Sequence, residues 1–200
     1  MLVSRRACLG LEESDLLMAR EQEPHGTYNF SNIRYAAPPV GDLRFRAPVP
    51  PKQNRTEVQT GSAGRVCPQA SPLWQDEISP AFLASVQSGT PFNQSTNISA
   101  YPYTPQTPDP RTTEDCLFLD VVAPKKIFDR AQNKTLAPQS SLAPVLVWIY
   151  GGGYTIGEKT EYDPTGLIQR SGENGDGVVY VALNYRVSLL QGICNSSCMI

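Results

Sequence analysis

The sequence has little of what many catalytic and binding classes require. Its single histidine, His25, lies beside a Gly-Thr turn, where an exposed loop position without a catalytic role is expected. No apolar run reaches the roughly 18 residues that a membrane-spanning helix needs. Lys and Arg number 17 against 19 Asp and Glu, and the net charge is -2. Charge therefore favours neither nucleic acid nor an anionic membrane as a partner.

The N-terminal segment also lacks the apolar core of a secretory signal, because acidic residues interrupt the stretch after Arg5 and Arg6. Six of the nine asparagines nevertheless begin an Asn-x-Ser/Thr triplet, which accepts a glycan only in secreted proteins. They are Asn29, Asn54, Asn93, Asn97, Asn133 and Asn195. The excess predicts a secreted glycoprotein, with the first five as candidate acceptors. We interpret the missing signal as a defect of this N-terminus.

What is present is the composition of a globular domain, with 40% hydrophobic and 18% charged residues. Runs rich in apolar and β-branched residues predict strands, and two short segments that begin with proline favour helices. The predicted strands are a short one from Phe30 to the Pro38-Pro39 corner, Leu117–Ala123, Val145–Tyr150 and Val178–Asn184; the predicted helices are Pro80–Val86 and Pro164–Ser171. The segment from Pro124 to Ala143 is predicted to be a polar connector. Met1 to Pro24 permits at most a short helix.

The most informative stretch is Val145–Tyr150 followed by Gly151-Gly152-Gly153 and then Gly157. Six apolar residues without a charge predict a strand covered on both faces, in the middle of a parallel sheet. Glycines after such a strand let the backbone approach a ligand closely. Their amides suit an anion, either a phosphate or a tetrahedral oxyanion.

The phosphate alternative would be a dinucleotide-binding oxidoreductase. Such a fold places an acidic residue at the end of the next strand to hold the ribose, but here that strand ends in Asn184-Tyr185-Arg186. More than 140 residues also precede the glycines, where a dinucleotide domain usually opens with them. The oxyanion reading is therefore favoured. Cys194 and Cys198 are doubtful as metal ligands, and no cofactor is predicted.

Four motifs together resemble the type-B carboxylesterase and cholinesterase family, most closely its fungal secreted members. They are Ile33–Arg46, Glu114–Val121, Val145–Gly153 and Val181–Arg186, in family order. The resemblance implies an α/β-hydrolase fold: a mixed, mostly parallel sheet flanked by helices, here truncated before the nucleophile strand.

The resemblance divides the chain into three parts. Residues 1–25 are an unmatched leader, 26–187 are the N-terminal part of the domain, and 188–200 are a divergent tail. We interpret that tail as a reading-frame change or an unspliced intron.

Roles for individual residues follow from the same resemblance. It implies that Gly152 and Gly153 supply two oxyanion-hole amides, that Cys67 pairs with Cys116 in a disulfide, and that Arg44 and Glu114 form a buried ion pair. The implied partner is a small-molecule carboxylic ester.

Ester hydrolysis also requires a nucleophile, an acid and a base. No Gly-x-Ser-x-Gly occurs in the sequence, and in this fold the triad follows in the order serine, acid, histidine. We therefore expect the chain to be inactive by itself. The alternative is a non-catalytic adhesion or binding protein of the same family. We also expect the isolated chain to fold poorly, with Val145–Tyr150 as an exposed sheet edge.

Overall fold

A computed structural model describes residues 16–17, 20–22, 25–52, 58–61, 64–70, 78–93, 107, 109–132, 142–173 and 175–187. The strands are β1 (Leu16–Leu17), β2 (Arg20–Gln22), β3 (Thr27–Arg34), β4 (Val58–Gln59), β5 (Phe118–Pro124), β6 (Val145–Trp148) and β7 (Val179–Leu183). The helices are α1 (Ser79–Ser88), α2 (Lys125–Gln132) and α3 (Thr165–Glu173), and Gly41–Leu43 form one 3-10 turn. No helix among these residues is long and apolar enough to cross a membrane.

The main sheet has five strands in the order β2-β3-β5-β7-β6. Its β2–β3, β3–β5 and β5–β7 pairs are antiparallel, and β6 and β7 are parallel. β1 and β4 form a separate parallel pair. The mixed sheet with flanking helices confirms the predicted fold class, although antiparallel pairs prevail among the described strands.

The core lies on both faces of β5 and β7, because successive side chains of a strand point to opposite faces. One cluster packs against α2 and consists of Val121, Ala123, Ile127, Val179 and Val181. The cluster on the other face packs against α3 and consists of Val122, Ile168, Tyr180 and Ala182. A helix therefore covers each face of the central strands.

The prediction for β6 was wrong in two respects. The strand ends at Trp148 rather than Tyr150, and its two faces are not both covered. It lies at the edge of the five-stranded sheet, as expected for the isolated chain, and not in the middle of a parallel sheet. Val145, Val147 and Ile149 are 54%, 55% and 66% exposed. In the described part of the chain only β7 pairs with β6. The row of apolar side chains on one face of β6 is also uncovered.

The first part of the predicted polar connector is also different, because Lys125–Gln132 form α2. Phe128 is buried against two rings of β3, with centroid distances of 4.9 Å to Tyr28 and 5.4 Å to Phe30. Near the N-terminus, β1 and β2 stand where at most a short helix was predicted. The structure confirms both predicted helices, as α1 and α3.

Candidate active site

The glycine loop follows the carboxyl end of β6 and has a backbone that only glycine adopts easily. Gly152 has φ 118°, and a Cβ there would lie 2.0 Å from the carbonyl oxygen of Ile156. Gly157 has φ 117°, and its Cβ would lie 2.4 Å from the ring of Tyr150. Both contacts are sterically impossible, which explains glycine at these two positions.

The carbonyl of Gly152 is turned into the loop and accepts three hydrogen bonds. The donors are the amide of Thr155 (3.1 Å), its hydroxyl (3.0 Å) and the amide of Ile156 (3.2 Å). Within the described residues the amides of Gly152 and Gly153 donate no hydrogen bond. Gly152 is half-buried and Gly153 is exposed, so these two neighbouring donors are open to solvent or to a ligand.

Tyr154 lies next in the loop with φ 64°, a left-handed conformation that non-glycine residues rarely adopt. Its side chain is 83% exposed. Such backbone outliers cost on the order of 1–3 kcal/mol and cluster at functional sites. Asn32 (φ 54°) and Phe45 (φ 61°) share this conformation, so the strain by itself assigns the loop no function.

Two tyrosines, Tyr150 and Tyr185, pack against each other next to the loop. The rings of Tyr150 and Tyr185 are stacked with centroids 4.3 Å apart, and the Tyr185 hydroxyl donates to the Tyr150 carbonyl oxygen at 2.7 Å. Burial raises the pKa of Tyr150 above its usual range, and burial raises the pKa of Tyr35 to about 12. The hydroxyls of Tyr35 and Tyr150 are therefore harder to ionise than that of an exposed tyrosine.

A buried ion pair holds the segment just after the loop. Lys159 Nζ lies 2.6 Å from Asp120 Oδ2, with the two side chains 3% and 13% exposed. The Lys159 amide donates to Asn184 Oδ1 at 3.0 Å. Asn184 Nδ2 donates in turn to the carbonyl oxygens of Arg65 (2.8 Å) and Cys116 (3.2 Å).

This ion pair is not among the contacts predicted from the sequence. Asp120 is the one charged residue in the otherwise apolar β5, and that isolated charge was the available signal. Asn184 was noted only as part of a motif.

The structure joins Cys67 and Cys116 in a disulfide with Cα atoms 5.0 Å apart. Both cysteines are buried, at 1% and 0% exposure.

The Arg44–Glu114 pair is present, with bonds of 2.6 Å from Nε and from Nη2. The expectation of burial was wrong, since the side chains are 46% and 33% exposed. The hydrogen bond from Arg44 lowers the pKa of Glu114 below its usual value.

His25 lies at the other end of the sheet from the glycine loop. Thr27, two residues later, pairs with Pro124 at the end of β5, whereas the start of β5 pairs with the end of β7. The His25 ring is exposed and lies 3.2 Å from Gln169 Nε2. The structure thus confirms His25 as an exposed residue in a loop.

Among the candidate glycan acceptors, Asn29 lies in β3 and Asn93 is exposed after α1. The other candidates, Asn54, Asn97 and Asn133, lie outside the described residues, as do Asn195, Cys194 and Cys198. Within the described ranges no group of His, Cys, Asp and Glu could hold a metal ion.

Comparison with known proteins identifies the family. The profile of the carboxylesterase family matches residues 17–192. The carboxylesterase patB of Aspergillus clavatus is 40% identical over 172 residues, which are 81% of this chain and 30% of that protein. The inactive carboxylesterase-like protein VdtD of Byssochlamys spectabilis is 32% identical, over 82% of this chain and 22% of that protein.

The crystal structure of Aspergillus niger EstA is similar, with a TM-score of 0.55 and 30% identity over 86% of this chain and 24% of that one. A thermophilic pNB esterase gives a TM-score of 0.54 at 28% identity, over 87% of this chain and 27% of that one. The chain thus spans less than a third of the length of these relatives. Over the part that it spans, the matched profile, the relatives and the fold agree: the chain belongs to the carboxylesterase family.

Proposed function

We propose that this chain supplies the oxyanion hole of a carboxylic ester hydrolase, with the backbone amides of Gly152 and Gly153 as its two donors. The observation that carries the proposal is that these adjacent amides donate no hydrogen bond within the described residues, at the carboxyl end of β6. Family membership supports the reaction class. The substrate would be a small-molecule carboxylic ester.

In this proposal the two amides act on the tetrahedral intermediate. Attack on the ester carbonyl moves negative charge onto its oxygen, and donors that are already in place stabilise that charge without reorganising. One such donor is worth about 10²–10³ in kcat. When the carbonyl re-forms, the attacking group stays bound to the acyl carbon and the bond to the alcohol oxygen breaks. The alcohol leaves with a proton from the general acid of the complete enzyme, and the amides are unchanged.

We further propose that the chain has no esterase turnover by itself. The sequence contains no Gly-x-Ser-x-Gly that would carry the nucleophilic serine. An oxyanion hole without a triad leaves only a residual of about 10³–10⁴ over water.

The test compares the isolated chain with a hybrid enzyme, in which residues 17–192 replace the matched residues of the carboxylesterase patB of Aspergillus clavatus. We expect p-nitrophenyl butyrate hydrolysis from the hybrid and none from the isolated chain. In the hybrid, Gly152→Ala should lower kcat by about 10²–10³, because its Cβ would strike the Ile156 carbonyl and displace the loop.

Two matched controls sharpen the comparison. At Gly153 a Cβ has open space, so Gly153→Ala carries only the cost of φ 61° and should be milder than Gly152→Ala. Gly166→Ala in α3 also meets open space and should leave kcat unchanged. Turnover by the isolated chain, or a Gly152→Ala hybrid as active as its parent, would contradict the proposal.

A non-catalytic role is the second candidate, and the likeness to a relative named as inactive favours it. It would make this chain part of a binding or adhesion protein that retains the fold. This role predicts a hybrid that melts cooperatively but does not hydrolyse esters, with or without Gly152→Ala. That result would favour it over the first candidate.

We also propose that the protein is secreted. The buried Cys67–Cys116 disulfide suits an oxidising compartment, and the excess of Asn-x-Ser/Thr triplets points the same way.

A further inference from the structure

Gln69 contacts the glycine loop through both ends of its side-chain amide. Its Oε1 accepts a hydrogen bond from the amide of Gly157 at 2.7 Å, and its Nε2 donates to the Gly157 carbonyl oxygen at 3.1 Å. The same Nε2 donates to the carbonyl oxygen of Cys67 at 2.9 Å. An exposed glutamine with three such bonds is fixed in place rather than free in solvent.

The segment that carries Gln69 is itself held on both sides. Cys67, two residues earlier, is buried and linked to Cys116 by the disulfide. The amide of Ala70, the next residue, donates to the Thr155 carbonyl oxygen of the glycine loop at 2.9 Å. Gln69 therefore connects the loop to a covalently anchored part of the chain.

The Gly157 end of the loop is coupled through the backbone to the direction of the Gly153 N–H. The Gly152 carbonyl and the Gly153 N–H belong to one planar peptide group. Thr155 and Ile156 hold that carbonyl, and Ile156 directly precedes Gly157. A shift of Gly157 would therefore release the Gly152 carbonyl, and the Gly153 N–H would rotate with it.

We infer that Gln69 is a positioning residue for the oxyanion hole: it holds Gly157, and through it the loop, in the conformation that directs the Gly153 amide toward the ligand. The inference rests on the function proposed above. Gln69 does not touch the reacting atoms, and it acts through the loop backbone.

The first test measures hydrogen exchange in the hybrid enzyme and requires no activity. Gln69→Met keeps the length of the side chain and removes its hydrogen bonds. We expect hydrogen exchange in a peptide covering residues 151–158 to become about tenfold faster, since the Gly157 amide loses its acceptor. The control is Gln87→Met, because Gln87 is exposed on α1 and makes no side-chain hydrogen bond among the described residues. Unchanged exchange in Gln69→Met would overturn the inference.

The second test uses the hybrid enzyme. Gln69→Met should lower kcat about 10- to 100-fold, because small misplacements of groups that position the transition state have effects of that size. KM should change less than about threefold, and the melting temperature should stay close to that of the Gln87→Met hybrid. Affinity for a trifluoromethyl ketone, whose tetrahedral adduct carries an oxyanion, should fall in parallel with kcat/KM.

The outcomes separate the two proposals. An active hybrid whose kcat does not respond to Gln69→Met contradicts the role of Gln69 and leaves the oxyanion hole intact. A hybrid without activity contradicts the proposed function, and the exchange measurement then decides by itself whether Gln69 holds the loop.

Discussion

Two ion pairs of similar geometry differ in their surroundings at the scale of single residues. Lys159–Asp120 and Arg44–Glu114 both have closest N–O distances of 2.6 Å. The first pair is buried, and its carboxylate also accepts a hydrogen bond from the Asn32 amide at 2.7 Å. The second pair is open to solvent, which screens charges and weakens an ion pair. The two pairs are therefore expected to contribute very differently to stability, although their N–O distances are similar.

We expect Lys159→Met in the hybrid enzyme to lower the free energy of unfolding by about 3–5 kcal/mol, because it leaves the Asp120 carboxylate buried without its cation. Arg44→Met, the same kind of replacement at the exposed pair, should have a small effect. The double variant Asp120→Leu with Lys159→Met should lose less than Lys159→Met alone, since no charge is then stranded. Urea unfolding curves measure all three, and equal losses from Lys159→Met and Arg44→Met would refute the distinction.

The sequence revealed some of these residues and not others, for a physical reason. Gly152, Gly153, Cys67 and Cys116 stand in motifs whose spacing and composition are visible along the chain. The partner of Asp120 is 39 positions away and that of Gln69 is 88 positions away. Such contacts are created by the fold, and no local periodicity encodes them.

The elements themselves were predictable where one pattern dominated. Apolar, β-branched runs identified β5 and β7, and the proline that begins each segment helped to identify α1 and α3. α2 was missed because its buried residues, Ile127 and Phe128, are adjacent rather than spaced three or four apart. Its burial depends on the aromatic rings of β3, which lie almost a hundred positions earlier.

The error at β6 has a different cause. An uncharged run predicts a strand that is covered on both faces, but the covering elements must come from elsewhere. In the described part of the chain β7 pairs with one edge of β6, and the side chains of Val145 and Val147 remain half exposed. An open, apolar edge strand is a template for association with another copy.

We therefore expect the isolated chain to self-associate through β6 and Val147→Lys to reduce this association. A lysine on an edge strand repels a second copy and opposes edge-to-edge pairing. The matched control is Val49→Lys, which places the same charge at a residue that is 43% exposed but lies outside the strands. Light scattering during refolding should show less aggregate for Val147→Lys only. Equal aggregation by the parent and both variants would exclude β6 as the contact.

At the scale of the whole molecule, several long-range contacts of the described residues lie around the disulfide. Cys67 and Cys116 are 49 positions apart, and they bring the segment of Gln69 to the start of β5. Val66 and Thr112 form a β-bridge alongside, and the carbonyl of Cys116 accepts a bond from Asn184. Loss of the disulfide would therefore affect both the stability of the fold and the support of the glycine loop.

We expect the paired variant Cys67→Ser with Cys116→Ser to lower the free energy of unfolding of a secreted hybrid by about 4 kcal/mol. This is the loop-closure entropy that a cross-link over about fifty residues removes from the unfolded chain. Urea unfolding of the parent in dithiothreitol should give the same loss, and dithiothreitol should not destabilise the paired variant further.

Peptide mapping without reduction checks the premise, because the secreted parent should yield Cys67 and Cys116 in one linked peptide. Free thiols at both positions would contradict secretion in the oxidised form. A parent whose unfolding curve does not respond to dithiothreitol, although the link is present and becomes reduced, would show instead that the contacts of Val66, Thr112 and Asn184 hold this region without the covalent bond.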